Sequence, residues 1–183
     1  MTKTAFIAIV GRPNVGKSTL LNQILGEKVA IVSKRPQTTR NRITGIYTKD
    51  EDQFVFLDTP GLHNPRTKLG DFMVKTTDSA IGEADAAILV VEPREAVGDI
   101  EQTVLDRLKS AGTPAVLAIN KIDSVTPLNV ARTIEAYSAA FDFDAVVPMS
   151  AKSGKNVSAL VDECKRYLAD LKSNPNRFEY PTK

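Results

Sequence analysis

The chain has 183 residues, 24 Lys and Arg against 22 Asp and Glu, a net charge of +2 and 42% apolar residues. That length suits one packed domain and not two comfortable ones, and the near-balanced charge excludes a strong overall electrostatic grip on nucleic acid or membrane. A single cysteine, Cys164, excludes an intramolecular disulfide framework; with no signal-peptide core and no apolar run near the ~20 residues of a membrane span, a cytoplasmic location is expected.

Ala5–Val10 is an apolar, β-branched run that ends at Gly11 and predicts a buried strand. Lys17–Leu25 has helical spacing and stops at Gly26. Val29–Asn41 predicts an irregular segment, because Ser33, Pro36, Thr38 and Thr39 interrupt any period. Ile43–Tyr47 and Phe54–Leu57 flank the polar turn Lys49-Asp50-Glu51-Asp52 and predict an antiparallel hairpin. A Pro- and Gly-rich loop follows Asp58, then a helix around Leu69–Ile81. Ala86–Val91, Ala115–Ile119 and Ala145–Pro148 read as strands. Asp99–Ala111, Leu128–Phe141 and Val157–Leu171 read as helices, the first closed by Gly112. Cys164 falls in the last of these and reads as a buried helix residue rather than a nucleophile.

Alternating strands and helices with short connections predict an α/β fold. The expected architecture is a three-layer sandwich with a six-stranded, mostly parallel sheet, one antiparallel strand and about five helices. Residues 1–172 form the expected domain. Residues 173–183, with Pro175 and Pro181 and no period, read as a linker or frayed tail.

Gly11-Arg12-Pro13-Asn14-Val15-Gly16-Lys17-Ser18 fits G-x-x-x-x-G-K-[ST] completely. Its glycines let backbone N–H groups turn inward around a phosphate, and the helix beginning near Lys17 aims its unpaired N–H groups at the same anion. Asn14, Val15, Gly16, Lys17, Ser18 and Thr19 are the expected phosphate contacts. Lys17 is expected to reach the β- and γ-phosphates, and the Ser18 hydroxyl to bind Mg²⁺.

A second Mg²⁺ contact is expected from Asp58, where the apolar run Phe54–Leu57 stops, with the Gly61 N–H meeting the γ-phosphate. Between these motifs lies Gln37-Thr38-Thr39-Arg40-Asn41. A Thr here, Thr39 rather than Thr38, is expected to close over the γ-phosphate, bind Mg²⁺ and release after hydrolysis.

Asn120-Lys121-Ile122-Asp123 follows a strand, at the edge where open α/β sheets bind ligands. A carboxylate can accept from both N1–H and the exocyclic amine of guanine, and adenine offers no such donor pair. Asp123 therefore points to guanine, Asn120 to a loop brace, and the Lys121 stem to a cover over the ring. Ser150-Ala151-Lys152 is expected to place a backbone N–H against guanine O6.

The order of these five segments resembles the layout of the Ras-like GTPases. The run Gly11–Asn22, Gln37–Arg42 with Ile43 and Gly45, and Asp58–His63 resemble, more narrowly, the Era branch of the TrmE–Era GTPases, over residues 5–172. That resemblance implies GTP hydrolysis, GTP/GDP and Mg²⁺ as ligands, and a role in assembly of the small ribosomal subunit. In that branch a C-terminal KH domain binds the 3′ end of the small-subunit rRNA, and no Gly-x-x-Gly clamp follows here. A monomer is expected, and peripheral membrane association is implied by the resemblance alone.

Where Ras-like enzymes place a water-orienting Gln, this chain has Leu62. The resemblance implies instead a potassium ion beside the phosphates, held partly by Asn14. His63 is expected to be a solvent-facing switch residue rather than a base. Arg12, Arg35, Arg40 and Arg42 are read as solvated charges around the nucleotide mouth. Two other readings remain open: a nucleotide-sensing module whose hydrolysis is incidental, and an ATP-using kinase-type enzyme, against which Asn120–Asp123 argues.

Overall fold

A strand with apolar side chains at successive positions has to be covered on both faces. In the computed structural model, β1 (Lys3–Val10) is buried along nearly its whole length. The structure describes residues 3–12, 15–26, 42–49, 52–58, 81–82 and 84–170; for Arg42, Ile43, Thr44, Lys49, Asp58, Ala169 and Asp170 it describes the backbone alone. β1 leads through α1 (Lys17–Leu25) to β2 (Arg42–Lys49) and β3 (Asp52–Asp58), and the chain resumes at β4 (Ala86–Val91). Then come α2 (Asp99–Ala111), β5 (Ala115–Ile119), α3 (Pro127–Ala140), β6 (Ala145–Pro148), α4 (Val157–Cys164) and β7 (Ala169–Asp170).

The sheet order is β2-β3-β1-β4-β5-β6. β2 runs antiparallel to β3, and the strands from β3 to β6 are parallel. One apolar cluster fills the face under α1 and α4, built on Ile7, Ile9, Phe54, Ile88, Leu20 and Leu160. The other fills the face under α2 and α3, built on Ala8, Val10, Leu89, Leu105, Leu108 and Tyr137. Alternate residues of β1 thus serve opposite cores, as the pleat requires. Each fully buried Leu or Ile contributes about 1.5–3 kcal/mol relative to exposure.

The six expected strands are present, and Asp99–Ala111 forms with the expected bounds and a left-handed Gly112 cap. Two local details differ. Helix α3 starts one residue earlier than expected because Pro127 takes the first turn, where its missing N–H costs nothing, with Thr126 as the capping side chain. The last helix ends at Cys164, not at Leu171: a single 3-10 turn follows, Leu168 turns extended, and Ala169 and Asp170 pair antiparallel with Thr4 and Lys3. The reason lies in β1. β4 pairs with it only from Ile7 onward, so the backbone of Lys3 and Thr4 on that side is available to another strand.

Gly45, beside a register shift between β2 and β3, has a packing role: a Cβ there would lie 2.4 Å from Leu25 Cδ1, so glycine lets α1 settle onto the hairpin. Of the expected helix around Leu69–Ile81, only Ile81 is among the described residues; it is helical and buried. The expected loop Val29–Asn41 and the tail 173–183 lie outside them. No helix among the described residues is long and apolar enough to cross a membrane.

Candidate functional site

Strand β1 hands the chain to α1 on the β3 side, whereas β4 hands it on toward β5. The carboxyl ends of β1 and β4 therefore flank the switch point of the sheet, where open α/β folds bind ligands. Gly11, Arg12 and Val15–Ser18 sit there. Gly16 takes φ 104°, and a Cβ on it would lie 2.1 Å from Asn120 Nδ2; Gly11 takes φ 153°, and its Cβ would lie 2.5 Å from the Val90 carbonyl oxygen. Both positions demand glycine, for backbone conformation and for space.

Helix α1 begins directly after Gly16 with no side-chain cap and no acidic residue in its first turn. Its leading N–H groups and positive dipole end are left for an anion. Lys17 Nζ donates to the Gly11 carbonyl at 2.7 Å, so its ammonium arches over the loop. Ser18 and Thr19 are exposed on the first turn.

Asn120, at the end of β5 and 3% exposed, joins the two halves of the site. Its Nδ2 donates to the Val15 carbonyl at 2.7 Å, and its Oδ1 accepts from the Ala151 N–H at 2.9 Å. One amide thus ties the phosphate loop to the segment after β6. Lys121 takes a left-handed conformation, φ 62°, and its ammonium pairs with Glu92 at the end of β4. Gly16, Thr19, Asn120, Lys121, Asp123, Ser124, Ser150 and Lys152 surround a cavity of ≈ 290 Å³. Of the predicted base-site residues, Asn120, Lys121, Asp123, Ser150 and Lys152 therefore come together. Ala151 lies behind, buried, with its N–H on Asn120. A larger cavity of ≈ 430 Å³, lined among others by Gln23, Tyr47, Phe54, Val157 and Val161, contains none of the predicted site residues.

Asn14, Thr39, Gly61, Leu62, His63, Arg35 and Arg40 lie outside the described residues. Asp58 is the last residue of β3, beside β1, so its backbone stands at the same end of the sheet as Ser18.

Arg12 corrects the reading of solvated charge. Its Nε and Nη2 donate to Glu101 Oε2 and Oε1 at 2.6 and 3.0 Å, and the Glu101 side chain on α2 is 7% exposed. Hydrogen bonding to Glu101 holds the Arg12 guanidinium above its ordinary pKa, against the opposing effect of burial. Burial, then the Glu101 charge, also pushes the Tyr137 phenol upward. Glu101, Glu92 and Ser124 had not been singled out from the sequence. Glu101 carried a readable signal, because it stands with Val104, Leu105 and Leu108 on the buried stripe of α2.

Cys164 is buried as expected, and desolvation raises its thiol to about 12, which keeps it protonated and unreactive.

A family model described as a 50S ribosome-binding GTPase matches residues 6–121, more than half of the chain. The chain belongs to this GTPase family. Among curated proteins it is 50% identical to GTPase Era of Clostridium acetobutylicum over 92% of its own length and 57% of that protein's. It is 48% identical to GTPase Era of Clostridium botulinum over 93% of its length and 58% of that protein's. The solved structure of Aquifex aeolicus Era bound to GDP.AlF4⁻ matches with a TM-score of 0.74 and 36% identity, over 92% of this chain and 58% of that one. Era in complex with MgGDPNP and nucleotides 1506–1542 of 16S ribosomal RNA matches at TM-score 0.74 and 34% identity, over 99% of this chain and 60% of that one. The GTPase chain spans somewhat over half the length of these relatives.

Proposed function

We propose that the chain is a GTP-binding and GTP-hydrolysing switch of the Era type. The observation that carries the reading is Asn120, whose amide links the Val15 carbonyl of the phosphate loop to Ala151, beside a cavity that Asp123 lines. A nucleotide laid along this edge has phosphates over Gly11–Ser18 and its base at Asp123. There the carboxylate accepts from N1–H and the 2-amine of guanine, and a backbone N–H of Ser150–Lys152 meets O6. Lys17 then leaves the Gly11 carbonyl for the β- and γ-phosphates.

Ser18 and Asp58, whose backbones stand at one end of the sheet, carry hard oxygen donors of the kind that suits Mg²⁺, with Thr39 expected as a further donor. When bound, Mg²⁺ would neutralise charge on the phosphates. Leu62 cannot orient a water; the resemblance to the Era branch implies instead a potassium ion, which Asn14 would help to hold and which would supply charge stabilisation, with Gly61 expected at the γ-phosphate. The family description names the 50S subunit, whereas the Era complex contains 16S rRNA, a small-subunit RNA. Identities near one half to Era favour assembly of the small subunit as the process served, in the cytoplasm; in that branch the rRNA 3′ end is bound by a KH domain.

Leu62 also favours a second reading, a nucleotide-sensing module with incidental hydrolysis. Single-turnover GTP hydrolysis in KCl and in NaCl separates the two. The switch reading predicts a faster reaction in KCl and loss of that difference in Asn14→Asp; identical, negligible rates in both salts favour the sensing module.

A further inference from the structure

The backbone of a phosphate loop is held open by side-chain hydrogen bonds. Three supports act on Gly11–Ser18 among the described residues. Lys17 bonds the Gly11 carbonyl, Asn120 bonds the Val15 carbonyl, and Arg12 leaves the loop to grip Glu101 on α2. The first two are parts of the proposed nucleotide site. Arg12 occupies a variable position of the G-x-x-x-x-G-K-[ST] run, Glu101 belongs to no motif, and 89 residues separate them.

The pair has the marks of a built device. Two guanidinium nitrogens meet two carboxylate oxygens, the bidentate geometry that fixes orientation as well as distance. The carboxylate occupies a place on the buried stripe of α2 where Val104, Leu105 and Leu108 would predict another apolar residue. Gly98, at the start of α2, has an ordinary φ of −77°, so backbone conformation does not require glycine. A Cβ on Gly98 would lie 2.3 Å from Glu101 Oε1 and 2.7 Å from Arg12 Nη2, so an added methyl would make the paired side-chain ends give way. The phenol of Tyr137, from α3, shares this pocket, with the Gly98 backbone as a hydrogen-bond partner.

We infer that Arg12 and Glu101, with Gly98 making room for them, are positioning residues for nucleotide binding that hold the backbone at Gly11 and Arg12 in its binding shape. The inference rests on the GTPase reading of the site. Neither residue touches the nucleotide in this account. Arg12 fixes the backbone next to Gly11, so the loop N–H groups converge before the phosphates arrive. Without the grip, a segment of one or two residues must be ordered during binding. Ordering one residue costs enough to weaken binding about tenfold.

The test uses the chain as it stands and a fluorescent GDP. Dissociation constants and off-rates are measured for the unaltered protein, Glu101→Gln, Gly98→Ala, Arg12→Lys and the double variant Arg12→Lys/Glu101→Gln, with thermal unfolding of the nucleotide-free proteins in parallel. Arg12→Lys keeps the charge and loses only the fork, so it serves where a bolder change fails to fold. The inference predicts GDP affinity weaker by about tenfold in Glu101→Gln and Gly98→Ala, mostly through a faster off-rate, and by a few-fold in Arg12→Lys. The double variant is no weaker than the weaker single one, because both lesions cut one linkage. Unchanged affinity in all variants, even with a lowered melting temperature, overturns the inference and leaves the pair a fold-stabilising contact. No GDP binding by the unaltered chain overturns the nucleotide reading itself, and the inference with it.

Discussion

Asn120 and Arg12 tether the same loop from neighbouring elements, one through a neutral amide and the other through an ion pair. Asn120 is fully covered, and both of its polar ends meet backbone groups. Arg12 remains 32% exposed, and only its Glu101 partner is buried. The contrast is physical. A neutral amide can be sealed in the interior at little desolvation cost if every end is bonded, whereas a sealed ion pair faces a penalty of several kcal/mol per charge. Leaving the guanidinium half in water lowers that cost and exposes the tether to salt and pH.

The largest effect is expected on the amide side. Asn120→Ala orphans the Val15 carbonyl and the Ala151 N–H, and each buried unsatisfied group costs about 1–3 kcal/mol. The melting temperature should fall, and GDP affinity should drop by about a hundredfold or more. A variant with near-normal affinity would break the comparison, because the amide would then not be the link between the two halves of the site.

Salt sharpens it. Raising ionic strength should narrow the difference in melting temperature between the unaltered chain and Glu101→Gln, since screening weakens the partly exposed pair. The difference between the unaltered chain and Asn120→Ala should not move. Equal salt responses would remove the distinction.

The smallest expected effect is in pH. Tyr137, beside Glu101, has its pKa raised by burial, while a tyrosine in the unfolded chain titrates near ~10. The folded state therefore holds the phenolic proton more tightly. That contribution is complete below pH ~10 and is lost as pH rises above it. Stability of the unaltered chain should decline more steeply in that range than that of Tyr137→Phe, and a matching decline in both would remove Tyr137 from the account.

The amide tether was partly legible in the sequence, and the ion pair was not. Asn120–Asp123 falls after an apolar strand, and its order relative to Gly11–Ser18 made a brace at Asn120 a natural reading. The Val15 and Ala151 partners are contacts made in space, and only the sheet order supplies them. From the sequence Arg12 reads as one of several solvated charges, the default for an arginine near a site mouth. Its partner comes from a helix two crossovers away, and Glu101 on an apolar stripe was the available signal. The strand β7 was hidden for a similar reason. Val157–Leu171 keeps a helical pattern, and what draws Ala169 and Asp170 into the sheet is the side of Lys3 and Thr4 that β4 does not reach. Among the described residues, element bounds set by local patterns are legible except at the end of the last helix; pairings set by the packing of distant segments are not.

The central claim is that this edge of the sheet forms a guanine site with Asp123 reading the base. Competition binding of GDP and xanthosine diphosphate to the unaltered chain and to Asp123→Asn tests it most directly. Xanthine carries a carbonyl where guanine carries the 2-amine, so an asparagine amide can donate to it while a carboxylate cannot. The account predicts strong GDP preference in the unaltered chain and an inverted preference, by at least about tenfold, in the variant. GDP preference that survives Asp123→Asn unchanged would contradict it.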